Sequence, residues 1–163
     1  MTNKKHLIIQ IILFVLYLGM LIFFIYECFQ NGNEAGRQAG WVSDTIAKIL
    51  SKISGKEIVV DTHFKTLVSK LVGHYGYFCI LGLISILFYM TFNKLKVYIR
   101  FLIHLGVGIA FALISEFLAE AITSGRNASI IDVLIDIGGL LTLSSIYILI
   151  YYLVKKRKEK KDI

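Results

Sequence analysis

The sequence predicts an all-α integral membrane protein, a four-transmembrane-helix bundle with an amphipathic helical loop on its outer side. Three observations predict it. The 163 residues are 56% hydrophobic with a mean hydropathy of +0.71, too apolar for a soluble domain of this size. Four apolar stretches, residues 7–29, 71–92, 98–122 and 130–154, are each long enough to cross a hydrocarbon layer of about 30 Å. Proline is absent, so nothing of that kind breaks the runs. Residues 1–163 read as one membrane domain.

The first stretch follows Lys4 and Lys5 and superficially resembles a signal peptide. It is too long for a signal core, and no small-x-small cleavage site follows, so it reads as a retained span. The segment 30–70 comes next. Its start, Gln30-Asn-Gly-Asn-Glu-Ala-Gly36, reads as a turn and flexible connector. Beyond it Val42, Ile46, Ile49, Leu50 and Ile53 recur at helical spacing behind Trp41, with Asp44, Lys48, Ser51 and Lys52 on the other face. Such a helix either lies at the membrane interface or caps the bundle. Gly55 ends it. A further helix is expected to start near Asp61 and run into the second span, since nothing between Thr62 and Val72 interrupts it.

Charge orients the spans. The net charge of +7 is concentrated at the ends, with six cations between Lys155 and Lys161 directly after the last apolar stretch. A basic run abutting an apolar helix marks a cytoplasmic flank rather than a nucleic-acid patch, and no nucleic-acid partner is expected. With Lys94, Lys96 and Arg100 on the same side, both termini are expected in the cytoplasm of a multi-pass cell-membrane protein. Cys28 and Cys79 lie in apolar stretches without metal or redox spacing and read as buried thiols.

Four acids stand in apolar sequence, where uncompensated charge costs several kcal/mol. Glu116 and Glu120 lie near the end of the third span, and Asp132 and Asp136 near the start of the fourth. Each pair is spaced i, i+4 and so shares one helix face. Antiparallel packing across the short connection predicts two layers, Glu120 with Asp132 and, deeper, Glu116 with Asp136. Lys70 and His74, again i, i+4, enter at the same level, and Arg126 sits in the connection. Four close carboxylates need cations, protons or a metal to offset them. Coupled titration of that kind suits acid–base work, with Glu116, Asp136 and His74 as candidate catalytic groups. Lys70, Glu120, Arg126 and Asp132 are the candidate ligand-binding groups; the two cations would suit a phosphate or carboxylate. The acids would also suit a divalent metal, and the residues leave the cofactor open. Structural alternatives stand beside these. Ser129-Ile-Ile-Asp132 is a capping-box-like helix start, Glu120 with Arg126 could be a salt bridge, and Gly138-Gly139 permits close helix packing.

The string Glu116…Arg126-Asn-Ala-Ser-Ile-Ile-Asp132-Val-Leu-Ile-Asp136-Ile-Gly-Gly139 resembles the VanZ-like family of bacterial membrane proteins. Arg126, Asp132, Asp136 and Gly139 match that pattern in type and spacing, and Glu120 falls where the family often has Gln. His74 with Leu81-Gly82 is similar to the second-span motif, and Ala39 and Ser43 stand where a serine pair often precedes an outer helix. Departures are the longer Glu116–Arg126 interval, Tyr77 in place of an acid, and the missing Pro before Gly125-Arg126. The founding member is associated with low-level teicoplanin resistance. The resemblance therefore implies a role in envelope or antibiotic protection, with membrane lipids and a lipid-linked cell-wall precursor, glycopeptide or lipopeptide as expected partners. An intramembrane hydrolase or transferase acting on a lipid-linked phosphate is the alternative expectation. A structural subunit whose charges join helices is the third.

Overall fold

The structure is a computed structural model that describes residues 3–29, 32–122 and 127–160. Among these residues every regular element is helical: α1 (Asn3–Cys28), α2 (Gly32–Ser54), α3 (Thr62–Val68), a π-helical segment (Ser69–Gly76), α4 (Tyr77–Met90), α5 (Val97–Ile122) and α6 (Ile130–Glu159). The α3, π and α4 pieces form one continuous helix, Thr62–Met90. With α1, α5 and α6 it makes four helices long and apolar enough to cross a membrane.

Local chemistry sets the ends. Gly55, at φ 68°, stops α2 in the left-handed region that favours glycine, and its N–H reaches the Ser51 carbonyl at 2.9 Å. Asp61 caps α3 by accepting the Phe64 N–H at 2.7 Å, so the expected start and the uninterrupted run into the second span both hold. The expected connector at the head of the loop does not: α2 already begins at Gly32. Glycine lowers helix propensity by only about 1 kcal/mol per residue, and packing further along the helix outweighs it. That packing uses small residues. Ser43 and Ala47 are buried, whereas Trp41, Ile49, Leu50 and Ile53 are exposed.

α4 is the central strut, with α1, α5 and α6 around it. Tyr17, Phe78, Leu81, Ala112, Val133 and Leu140 form the core from all four long helices. The outward faces of α1, α5 and α6 are lined with exposed Ile, Leu, Val and Phe. Two glycines set the α4–α6 distance. A Cβ on Gly82 would stand 2.5 Å from the Leu140 carbonyl oxygen, and one on Gly139 would overlap the Tyr75 carbonyl oxygen. At the opposite end from α2, His6 Nε2 lies 3.1 Å from the Thr91 carbonyl. Arg100, expected as a flank charge, is instead buried and donates to the carbonyls of Met90 (2.9 Å) and Leu95 (2.8 Å), closing the α4–α5 turn. The loose carbonyls at the end of a helix give a guanidinium acceptors that lipid and water do not supply there.

Candidate functional site

Gly139 brings α6 against the π segment at Tyr75, the residue after His74. There the two elements run parallel and pair in register. Lys70 Nζ meets Asp132 Oδ1 at 2.8 Å, and four residues further on both elements His74 Nδ1 meets Asp136 Oδ1 at 3.1 Å. The upper pair is partly exposed, at 34% and 18% for its side chains, and the lower is closed off, at 12% and 1%. Tyr75 anchors the segment from the far side through its hydroxyl, 3.0 Å from Thr142 Oγ1, while Thr142 donates to the Gly138 carbonyl. π geometry is rare and recurs at functional positions because it redirects side chains within a helix.

Glu116 joins from α5 by a route the spacing does not predict. Its Oε1 accepts the Ser129 N–H at 2.9 Å, and Ser129 Oγ in turn accepts the Asp132 N–H at 3.2 Å. Ser129 is thus the cap of α6, but a neighbouring helix supplies the reciprocal half of the capping box. Asp132 is thereby left free for Lys70. Glu116 is buried and close enough for its charge to act on both His74 and Asp136.

The two expected layers are therefore rearranged. Lys70, His74, Glu116, Asp132 and Asp136 come together, but Glu116 stands level with the start of α6 and not squarely opposite Asp136. Residues 127–129 are non-helical and lead down to the cap, so the last turn of α5 projects beyond the first turn of α6. Glu120 lies on that projecting turn, is exposed, and makes no ion pair among the described residues. The expected Glu120–Asp132 layer is not formed. Arg126 lies outside the described residues. No group of three or more His, Cys, Asp or Glu side chains converges as a metal cage among the described residues.

A cavity of about 520 Å³, in the range of small-molecule sites, opens beside this cluster between α1, α2 and the π segment. His74 lines it, so the ring stands between the cavity and Asp136. With Nδ1 held by the carboxylate, Nε2 is the nitrogen left for a ligand, and among the described residues it has no hydrogen bond. Asp136 Oδ2 is buried without a hydrogen-bond partner among them. A histidine oriented by a buried carboxylate can hold a ligand's polar group or move a proton at Nε2.

Glu27 also lines the cavity, from the last turn of α1, and sequence spacing did not single it out. The available signal was an acid one turn before the end of an apolar stretch. A second buried pair, His104 Nδ1 with Ser85 Oγ at 2.8 Å, joins α4 to α5 on the far side of the core from His74. Comparison with family models, with curated proteins and with solved structures gives no match to this chain.

Proposed function

We propose that the chain is a multi-pass membrane protein of the bacterial envelope, VanZ-like in its α5–α6 segment, that binds a lipid-linked ligand at the His74–Asp136 site. Both termini are cytoplasmic in this reading, the site faces outward beneath α2, and α2 rests its exposed apolar face on the membrane interface. Binding there supports tolerance of teicoplanin-type glycopeptides or lipopeptides, by holding either the drug or the wall precursor it targets. One observation carries the reading. A buried carboxylate orients a histidine that lines a cavity of about 520 Å³ at the α2 end of an otherwise apolar bundle. Charge joining helices for stability alone has no need of a cavity on the histidine's open side.

The deciding experiment compares drug tolerance with folded yield for Asp136→Asn and His74→Gln, which keep size and hydrogen-bonding capacity. The expected result is lost tolerance with a monodisperse protein in detergent. Unchanged tolerance for both variants refutes the site, and collapsed yield for both assigns the charges to structure.

The same pair favours a second reading, an intramembrane hydrolase or transferase on a lipid-linked phosphate or wall precursor. His74 Nε2 would be the general base and Asp136 its orienting partner. Turnover of such a lipid by the purified protein, abolished by His74→Gln, is its test; binding without turnover leaves the first reading.

A further inference from the structure

The end of α6 stands clear of the rest of the chain. α4 and α6 run in the same direction, since Lys70, His74 and Gly82 meet Asp132, Asp136 and Leu140 in that order. α4 stops at Met90, whereas α6 continues to Glu159. Counted on from the Gly82–Leu140 contact, roughly the last ten residues of α6 outrun its partner. Every residue from Tyr152 to Lys160 is exposed.

This free end carries dense charge of one sign. Lys155, Lys156, Arg157, Lys158 and Lys160 stand against a single acid, Glu159. Glu159 lies 3.9 Å from Lys155 with both side chains more than half-exposed, a pair that offsets little. Successive residues turn by about 100°, so the five cations surround the helix and leave it no neutral face. Lys155 with Lys158, and Lys156 with Lys160, are like charges at neighbouring positions on the helix surface and repel. Lys94 and Lys96, exposed in the α4–α5 turn, add to the same field. So do Lys4 and Lys5, brought to this end by the contact of His6 with the Thr91 carbonyl. An anionic partner outside the chain relieves that repulsion.

Position selects the partner. The run begins at Lys155, directly after the exposed apolar residues Leu153 and Val154, with no spacer. From Lys155 to Lys160 the helix rises about 8 Å, which is one Debye length at physiological salt. Even with the helix upright, every cation stays within electrostatic reach of the surface that Val154 enters. Tyr151 and Tyr152, one turn earlier, are residues that favour the depth of lipid head groups. A run directed at nucleic acid or an acidic protein gains from a spacer that carries it away from the membrane.

We propose that the end of α6, from Lys155 to Lys160, binds the phosphates of anionic lipids and gathers those lipids around this end of the bundle. The proposal rests on α6 spanning a membrane and uses no residue of the His74 site.

The test uses the full chain in phosphatidylcholine nanodiscs. Trp41→Phe removes the one native tryptophan, and Leu153→Trp supplies a reporter beside the cations. Brominated phosphatidylglycerol or brominated phosphatidylcholine is added at the same mole fraction, and quenching of the reporter is measured. The anionic lipid is expected to quench about fivefold more effectively, the worth of one cation at an anionic surface. The preference is expected to vanish in about 1 M salt, where the Debye length is about 3 Å. Replacing the five cations of α6 by Gln together is expected to abolish it, and Lys48→Gln with Lys52→Gln on α2 to leave it unchanged. Equal quenching by the two lipids overturns the proposal, as does a preference that survives both salt and the five-fold replacement. Quenching by neither lipid refutes the spanning of α6 itself, so the two failures are told apart.

Discussion

At Asp136 one oxygen meets His74 Nδ1 at 3.1 Å while the other, equally buried, meets no donor among the described residues. Substitutions at this position should therefore separate. Asparagine keeps an acceptor for the imidazole N–H and is expected to cost about 1 kcal/mol of stability. Leucine removes it, strands a buried polar ring, and is expected to cost about 3–5 kcal/mol. Thermal unfolding in detergent reads the ordering, and equal losses would show that the hydrogen bond carries no weight. Lys70, His74, Asp132 and Asp136 were legible in the sequence because i, i+4 spacing within two segments is enough to align two pairs. Glu120 has the same spacing from Glu116 yet lies apart. Spacing gives the face of a helix, but not how far that helix overlaps its neighbour, and the descent through residues 127–129 sets the overlap. Glu27 was missed for a related reason: only the approach of α1 to the π segment gives it a cavity to line.

Among the elements, α6 depends on a cap and on a glycine contact, and each can be removed alone. Ser129→Ala takes away the oxygen that accepts the Asp132 N–H and should cost about 0.5–2 kcal/mol. The Glu116 bond to the Ser129 backbone N–H survives that change, so a loss at the top of the range would mean that it fails as well. Gly139→Ala drives a methyl into the backbone at Tyr75 and should cost about 1–3 kcal/mol while separating His74 from Asp136. Gly106→Ala, with nothing within 4 Å of the added Cβ, is the matched control and should lose no stability, gaining up to about 1 kcal/mol from helix propensity. The sequence announced close packing at Gly138-Gly139, and the structure assigns the closest approach to Gly139. The π segment was not announced, because no residue type selects i→i+5 bonding over i→i+4. It was read correctly as uninterrupted helix and incorrectly as uniform helix. α2 shows the converse, since a hydrophobic face predicted its middle while its packing face is made of Ser43 and Ala47.

Over the whole molecule, four long apolar helices were legible from run length alone, with ends displaced by a few residues where charged turns such as Lys155–Glu159 continue the helix. With Cys28 and Cys79 replaced, Ile53→Cys on α2 and Lys158→Cys on α6 should react with an impermeant maleimide from opposite sides of intact cells, Ile53→Cys alone without lysis. Labelling of both from outside would invert or abolish the proposed topology.

The stretch Ser69–Gly76 also makes the site depend on chain length. A π turn takes one residue more than an α turn between bonded partners, so the stretch absorbs a residue that a uniform α-helix would not hold there. Deleting one residue inside it would leave a span just as apolar, with an ordinary α-helix in its place and the flanking turns still facing as before. The side chains within the stretch, Lys70 and His74 among them, would instead shift relative to Asp132 and Asp136, by up to one residue's rotation of about 100°. An insertion or deletion there is thus silent to hydropathy, yet it redraws the site.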